Sequence, residues 1–279
     1  MGTLNHFGDP AVVAYLATDG TARIHFFAVA DNGHLYVRSG IEFDVTWLDI
    51  GAMPSGALVL GPPAGVTYID QGGRQIRVFV RGDDGRLNVA WFDGNIWQID
   101  DLGTTPGGKI FSNVAAITYF FENSVQLIYA FVVGEDGQLY LNKWDGTQWS
   151  WVLIGAPPGG VISIPYLSAV NFDFGEPWTY VFASGIRGSR GGGLYMTREW
   201  INWPWTYLGR PEPGDSIREA GSGGPEAIGY VTSRVIRPGS APGLALRTIP
   251  IAISTLDGRT IPRFKAGTGS IKGDLPCRS

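Results

Sequence analysis

Hydrophobic and polar positions alternate along this chain in short runs, and the runs come in fours. Between residues 115 and 154, AAITYFF, LIYAFVV, LYLNKW and WSWVLI are rich in β-branched and aromatic residues. That is the composition of strands half buried on a pleated surface. GEDG, WDGTQ and GAPPGG mark the reversals, with Gly, Asp and Pro where a chain turns. Asp-Gly predicts a tight hairpin centred on the pair, because both residues tolerate positive φ. No segment sustains the period of an amphipathic helix. The pattern predicts four antiparallel strands in about fifty residues.

The unit repeats. Copies read FAVADNGHLYVRSG from Phe27, FVRGDDGRLNVAWFDG from Phe79, FVVGEDGQLYLNKWDG from Phe131 and GGLYMTREW from Gly192. The Leu of a Gly-x-Leu element falls at Leu35, Leu87, Leu139 and Leu194, spaced 52, 52 and 55 residues. An aromatic stretch closes each copy on Gly51, Gly103, Gly155 and Gly209, spaced 52, 52 and 54. Pro54, Pro106, Pro157 and Pro211 follow within three residues. Short strands in fours at this period predict an all-β chain, a β-propeller of four-stranded antiparallel blades. The blades are expected near 3–56, 57–108, 109–160 and 161–214, with the start of a fifth at 215–230.

Glu226–Val231 (EAIGYV) matches the opening strand of the third copy, but no Gly-x-Leu or Trp-rich element follows. From Val231 onward there are eight Lys or Arg and two Asp, so the tail carries +6 and the first 230 residues −10. Three readings of 231–279 stay open: a diverged blade, an irregular basic tail, or a truncated or out-of-frame end of a longer propeller. An open arc of blades exposes strand edges and predicts self-association as a homo-oligomer.

Composition narrows the chemistry. Net charge is −4, which argues against nucleic acid as a partner. Cys277 is the single cysteine, so no intrachain disulfide forms. The opening residues lack a basic segment leading into a long apolar run, and no run is apolar enough to span a membrane. A cytoplasmic protein, or one released without a leader, is the expectation. No cofactor or metal is expected. The three histidines, His6, His25 and His34, have no metal-site spacing, and no nucleophile elbow or phosphate loop is present. Asp93, Asp145, Asp100 and Asp101 are candidates for a hydrolase pair, but Asp93 and Asp145 recur once per blade beside a turn glycine and read as turn residues.

Ten Trp in one chain need either an architecture that wedges them or a stacking function. A pyranose offers an apolar C–H face to an aromatic ring and hydroxyls to planar polar groups. The second copy supplies Asn88, Trp91, Asp93 and Trp97; the third supplies Asn142, Trp144, Asp145 and Trp149; the fourth supplies Arg198, Trp200 and Trp203. Trp91, Trp144 and Trp200 are expected at the blade rim. Trp151 and Trp205 read as core, and Trp178 falls outside the repeat.

The shared element Gly-x-Leu, Trp-Asp-Gly, Trp-x-Trp and Leu-Gly resembles the repeats of bacterial propeller lectins of the Photorhabdus lectin type. It is carried by Gly137–Leu139, Trp144–Gly146, Trp149, Trp151 and Gly155. The second copy matches at Gly85, Leu87, Trp91–Gly94, Trp97 and Gly103, and the fourth at Gly193, Leu194, Trp200, Trp203, Trp205 and Gly209. The first copy departs from it, with Arg38-Ser39-Gly40 in place of Trp-Asp-Gly. The resemblance covers residues 10–230. It implies glycan partners, fucosylated ones among them, held between blades with one site per junction. The expected function is a non-catalytic, multivalent sugar-binding propeller. The alternatives are a protein-interaction module of a toxin or secreted assembly, and a glycan hydrolase or lyase with a site on the central axis.

Overall fold

The computed structural model describes residues 10–17, 19–40, 46–70, 73–120, 126–173, 177–187, 190–199, 202–209, 226–227 and 253–254. Blade 1 is β1 (Ala11–Leu16), β2 (Ala22–Val29), β3 (Leu35–Ser39) and β4 (Leu48–Gly51). Blade 2 is β5 (Val59–Asp70), β6 (Gly73–Gly82), β7 (Leu87–Phe92) and β8 (Trp97–Gly103). Blade 3 is β9 (Ala115–Phe120), β10 (Gln126–Val133), β11 (Leu139–Trp144) and β12 (Trp149–Gly155). Blade 4 is β13 (Gly160–Asp173), β14 (Pro177–Arg187), β15 (Arg190–Arg198) and β16 (Trp205–Gly209). A two-residue pair, β17 (Glu226–Ala227) with β18 (Ile253–Ser254), follows.

Each sheet is an antiparallel meander in chain order. The opening strands β1, β5, β9, β13 and β17 lie beside one another in succession, so the sheets fan out from a common inner line. The chain is an all-β propeller, and no helix occurs among the described residues. Whatever follows β17, apart from β18, lies outside the described residues.

The two sequence landmarks are cross-strand partners. Leu35 faces Gly51, Leu87 faces Gly103, Leu139 faces Gly155 and Leu194 faces Gly209, and each ladder slips register immediately after that pair. The closing glycines take φ of 119°, 82°, 94° and 101°, the left-handed geometry a bulge of this kind demands. One bulge per blade therefore explains both periodicities.

The Asp-Gly hairpins differ from expectation. Gly94 and Gly146 have positive φ, but Asp93 and Asp145 do not. Each Asp instead opens the turn, its Oδ1 accepting backbone N–H groups two and three residues on: Asn95 and Ile96 at 2.8 and 2.9 Å, Thr147 and Gln148 at 2.8 and 2.9 Å. The side chain stands in for a backbone acceptor, so left-handed backbone is confined to the glycine.

Blades hold together through apolar faces and a recurring latch. Between blades 1 and 2, Val13, Phe27 and Val37 pack on Ile76, Val78 and Val80. Between blades 2 and 3, Val66, Phe79 and Val89 pack on Ile128, Ala130 and Val132. Between blades 3 and 4, Ile117, Phe131 and Leu141 pack on Leu167, Val181 and Ala183. A Trp from the following blade meets the Phe of the preceding one edge-on: Trp97 on Phe27 at 5.6 Å, Trp149 on Phe79 at 5.6 Å and Trp203 on Phe131 at 5.7 Å. The latch is a backbone hydrogen bond from the next blade's lead-in to a turn carbonyl, Val59 N to Gly33 O (2.9 Å), Ile110 N to Gly85 O (2.8 Å) and Ile162 N to Gly137 O (3.0 Å).

Candidate functional site

Because side chains alternate faces along a strand, a one-residue offset reverses the face a residue presents. Trp91 lies four residues after Leu87, whereas Trp144 lies five after Leu139. The pair Trp91 with Arg77 is matched in blade 3 by Lys143 with Tyr129, one position short of Trp144. Trp91 thus faces blade 3, and Trp144 packs in the core between blades 2 and 3. The two rings were expected as equivalent members of separate sites; the structure directs them at one junction from opposite sides.

On the blade 2 wall of that junction, Arg77 lies over two rings, its guanidinium carbon 4.8 Å from the Tyr68 centroid and 5.1 Å from the Trp91 centroid. Its Nη2 donates to Tyr68 Oη at 2.6 Å. The Trp91 indole N–H donates to Asp100 Oδ2 at 2.7 Å, which fixes the indole and places a carboxylate at its edge. Asp100 is exposed and Trp91 half-buried. On the blade 3 wall, Trp144 and Trp149 sit 5.3 Å apart at 46°, with Trp149 against Phe79, two residues along β6 from Arg77. The junction combines aromatic faces, a planar cation and a carboxylate. Arg77 and Tyr68 were absent from the sequence candidates, and Asp100 stood among them only as a member of a hydrolase pair; the signal for Arg77 was its cross-strand pairing with Trp91.

Other candidates have different duties. Asn88 and Asn142 are both 1% exposed. Asn88 directly follows its landmark Leu and Asn142 stands three residues after its own, so they are not equivalent positions, and burial removes both from a surface site. Asn88 donates to Arg86 O at 3.4 Å. Trp97, Trp149 and Trp203 are the inter-blade wedges described above. Trp151 and Trp205 also pack in the core, and the Trp151 indole donates to Leu102 O at 3.3 Å. Asp93 and Asp145 cap turns. Asp145 is pulled down to about 2 by the Thr147 hydroxyl and the Gln148 and Thr147 amides. Asp93 is lowered by the Ile96 and Asn95 amides and by Gln98. Asp101 pairs with Arg86 at 2.7 Å. Arg198 lies over Trp178, 5.0 Å from its centroid, on blade 4. Trp200 lies outside the described residues.

No family model matches the chain. No curated protein is similar to it in sequence. Among solved structures it is similar to AofleA from Arthrobotrys oligospora, as a triple arginine-to-alanine variant, with TM-score 0.53 and 14% identity over 74% of this chain and 58% of that one. A fucose lectin from Kordia zhangzhouensis in complex with methyl-fucoside is 22% identical over 51% of this chain and 97% of that chain, with TM-score 0.41. A glycoside hydrolase family 43 arabinoxylan arabinofuranohydrolase from Bacillus subtilis is 16% identical over 79% of this chain and 56% of that one, with TM-score 0.48. At these identities the likeness is one of fold, and this chain spans 58% of the AofleA chain.

Proposed function

We propose that this chain is a non-catalytic carbohydrate-binding propeller and that the cleft between blades 2 and 3 holds the sugar. The observation that carries the reading is the row Tyr68, Arg77, Trp91 and Asp100, in which one Arg lies over two rings and one ring is tethered to a carboxylate. A pyranose needs an aromatic plane for its C–H face, a planar donor for vicinal hydroxyl oxygens and an acceptor for hydroxyl protons. The row supplies all three, and Trp144 and Trp149 supply the opposing wall. The carboxylates first considered as a hydrolase pair are engaged in turns, in an ion pair or with the Trp91 indole, which favours binding over bond cleavage. Because a lectin of similar fold was solved with methyl-fucoside, that glycoside is the first probe.

Wild-type chain is expected to bind on a printed glycan array and to titrate with a methyl glycoside. An Arg77→Met/Trp91→Ala variant, with its melting curve recorded alongside, is expected to lose that binding. Array binding that persists in the double variant overturns the assignment.

A further inference from the structure

Equivalent positions on the four blades carry different chemistry. The blade 2 set Arg77, Trp91 and Asp100 aligns, through cross-strand pairs, with His25, Ser39 and Leu48 in blade 1 and with Tyr129, Lys143 and Val152 in blade 3. In blade 4 the set is Tyr180, Arg198 and Thr206. We infer that, among the four described blades, sugar recognition is confined to the junction between blades 2 and 3, so that these blades carry one competent site instead of one each. This rests on the sugar-binding reading above.

Each remaining set lacks the carboxylate, the strongest acceptor of the three parts, with Leu48, Val152 or Thr206 in its place. In blade 1, the carboxylate position is Leu48, and His25 lies flat against Tyr15, with centroids 5.8 Å apart at 9°. Its Nδ1 is 2.9 Å from Ser39 Oγ. Burial, then the nearby Arg23, holds the His25 imidazole below the usual range, so at neutral pH it offers no cation. In blade 3, Val152 replaces the carboxylate, and the groups facing the junction are already matched. Tyr129 Oη donates to Glu199 Oε1 of blade 4 at 2.6 Å, and Lys143 Nζ lies 5.7 Å from the Tyr129 centroid. A sugar entering there has to displace a short hydrogen bond to a carboxylate. Blade 4 keeps an Arg over a Trp, but the acceptor there is the neutral hydroxyl of Thr206, which holds a sugar hydroxyl more weakly than a carboxylate does. The opposing walls differ as well. Two Trp face blade 2, whereas Phe92 and Trp97 face blade 1, and Glu199 and Trp203 face blade 3.

Calorimetric titration of the full chain with the methyl glycosides of fucose, galactose, mannose and glucose is the test. The expected result is one site per chain for whichever glycoside binds. Arg77→Met is expected to weaken it about 30-fold. His25→Ala and Lys143→Met are expected to change affinity less than about twofold. Grafting the blade 2 set onto blade 1, by His25→Arg, Ser39→Trp and Leu48→Asp together, is expected to raise the stoichiometry to two. Two or more sites in the wild type, or binding that Lys143→Met abolishes, overturns the single-site inference while leaving the sugar-binding reading intact. No binding of any of the four glycosides, together with a blank array, overturns both. Should the grafted variant fail to fold, the wild-type stoichiometry and the Arg77→Met titration still decide the matter.

Discussion

Gly85 combines φ of +82° with a Cβ direction that ends 2.6 Å from Lys109 Cβ, on the lead-in of the next blade. A methyl there has to shift the chain that carries the latch. Gly85→Ala is expected to cost about 2 kcal/mol or more in urea unfolding, from left-handed strain plus the displaced contact. Gly94 shares the left-handed geometry, φ +105°, but its Cβ direction is open, so Gly94→Ala is expected to show the backbone cost of about 1 kcal/mol alone. Asp145 gives a pH signature. Its folded carboxyl titrates near 2, below its ordinary 3.8, so its contribution to stability is complete above the ordinary value. That contribution is lost as pH falls from about 4 to about 2. Melting temperature followed over that range is expected to fall less steeply in Asp145→Ala than in the wild type.

The strands, the turns and the 52-residue period were legible in the sequence because β-branched runs and Gly punctuation are local signals. The direction of each Trp was less so. It depends on parity counted from the bulge at Leu and Gly, and a bulge shows only when two strands are laid side by side. Counting from Leu87 and Leu139 separates Trp91 from Trp144, whereas aligning on Trp-Asp-Gly merges them. Arg77, on β6, carried no motif at all; only pairing with β7 brought it to Trp91. The phenylalanine beneath a wedge and the tryptophan of the site separate by burial. Phe131 is fully buried beneath Trp203, and Phe131→Ala is expected to cost about 3–5 kcal/mol in chemical denaturation. Half-buried Trp91 is expected to cost appreciably less on truncation while abolishing sugar binding, so the ratio of the two effects distinguishes structural from recognising aromatics.

Across the molecule, a side-chain ladder joins the inner strands. The Thr118 hydroxyl donates to Thr67 O at 2.8 Å, and the Asn171 amide donates to Thr118 O at 2.8 Å, linking blades 2, 3 and 4. Asn113 adds a two-point strap to the Leu167 backbone, donating at 3.3 Å and accepting at 2.7 Å. Thr118→Val removes one rung at nearly constant volume and is expected to lower unfolding free energy by about 1 kcal/mol, read from the denaturant midpoint. Such nearest-neighbour coupling makes stability a sum over blades and junctions, as in other repeat folds. The latch gives that sum a direction. Blades 2, 3 and 4 each hang the start of their chain, at Val59, Ile110 and Ile162, from a carbonyl belonging to the blade before. During synthesis the acceptor at Gly33, Gly85 or Gly137 therefore exists before the amide that seeks it leaves the ribosome, and each newly emerging blade meets a finished template. A chain halted after residue 156 and one begun at residue 57 each keep two of the three latches, but the first leaves only the Gly137 carbonyl without its donor, whereas the second leaves the Val59 N–H without an acceptor, the costlier loss. Protease resistance of the halted chain is expected to exceed that of the late-starting one.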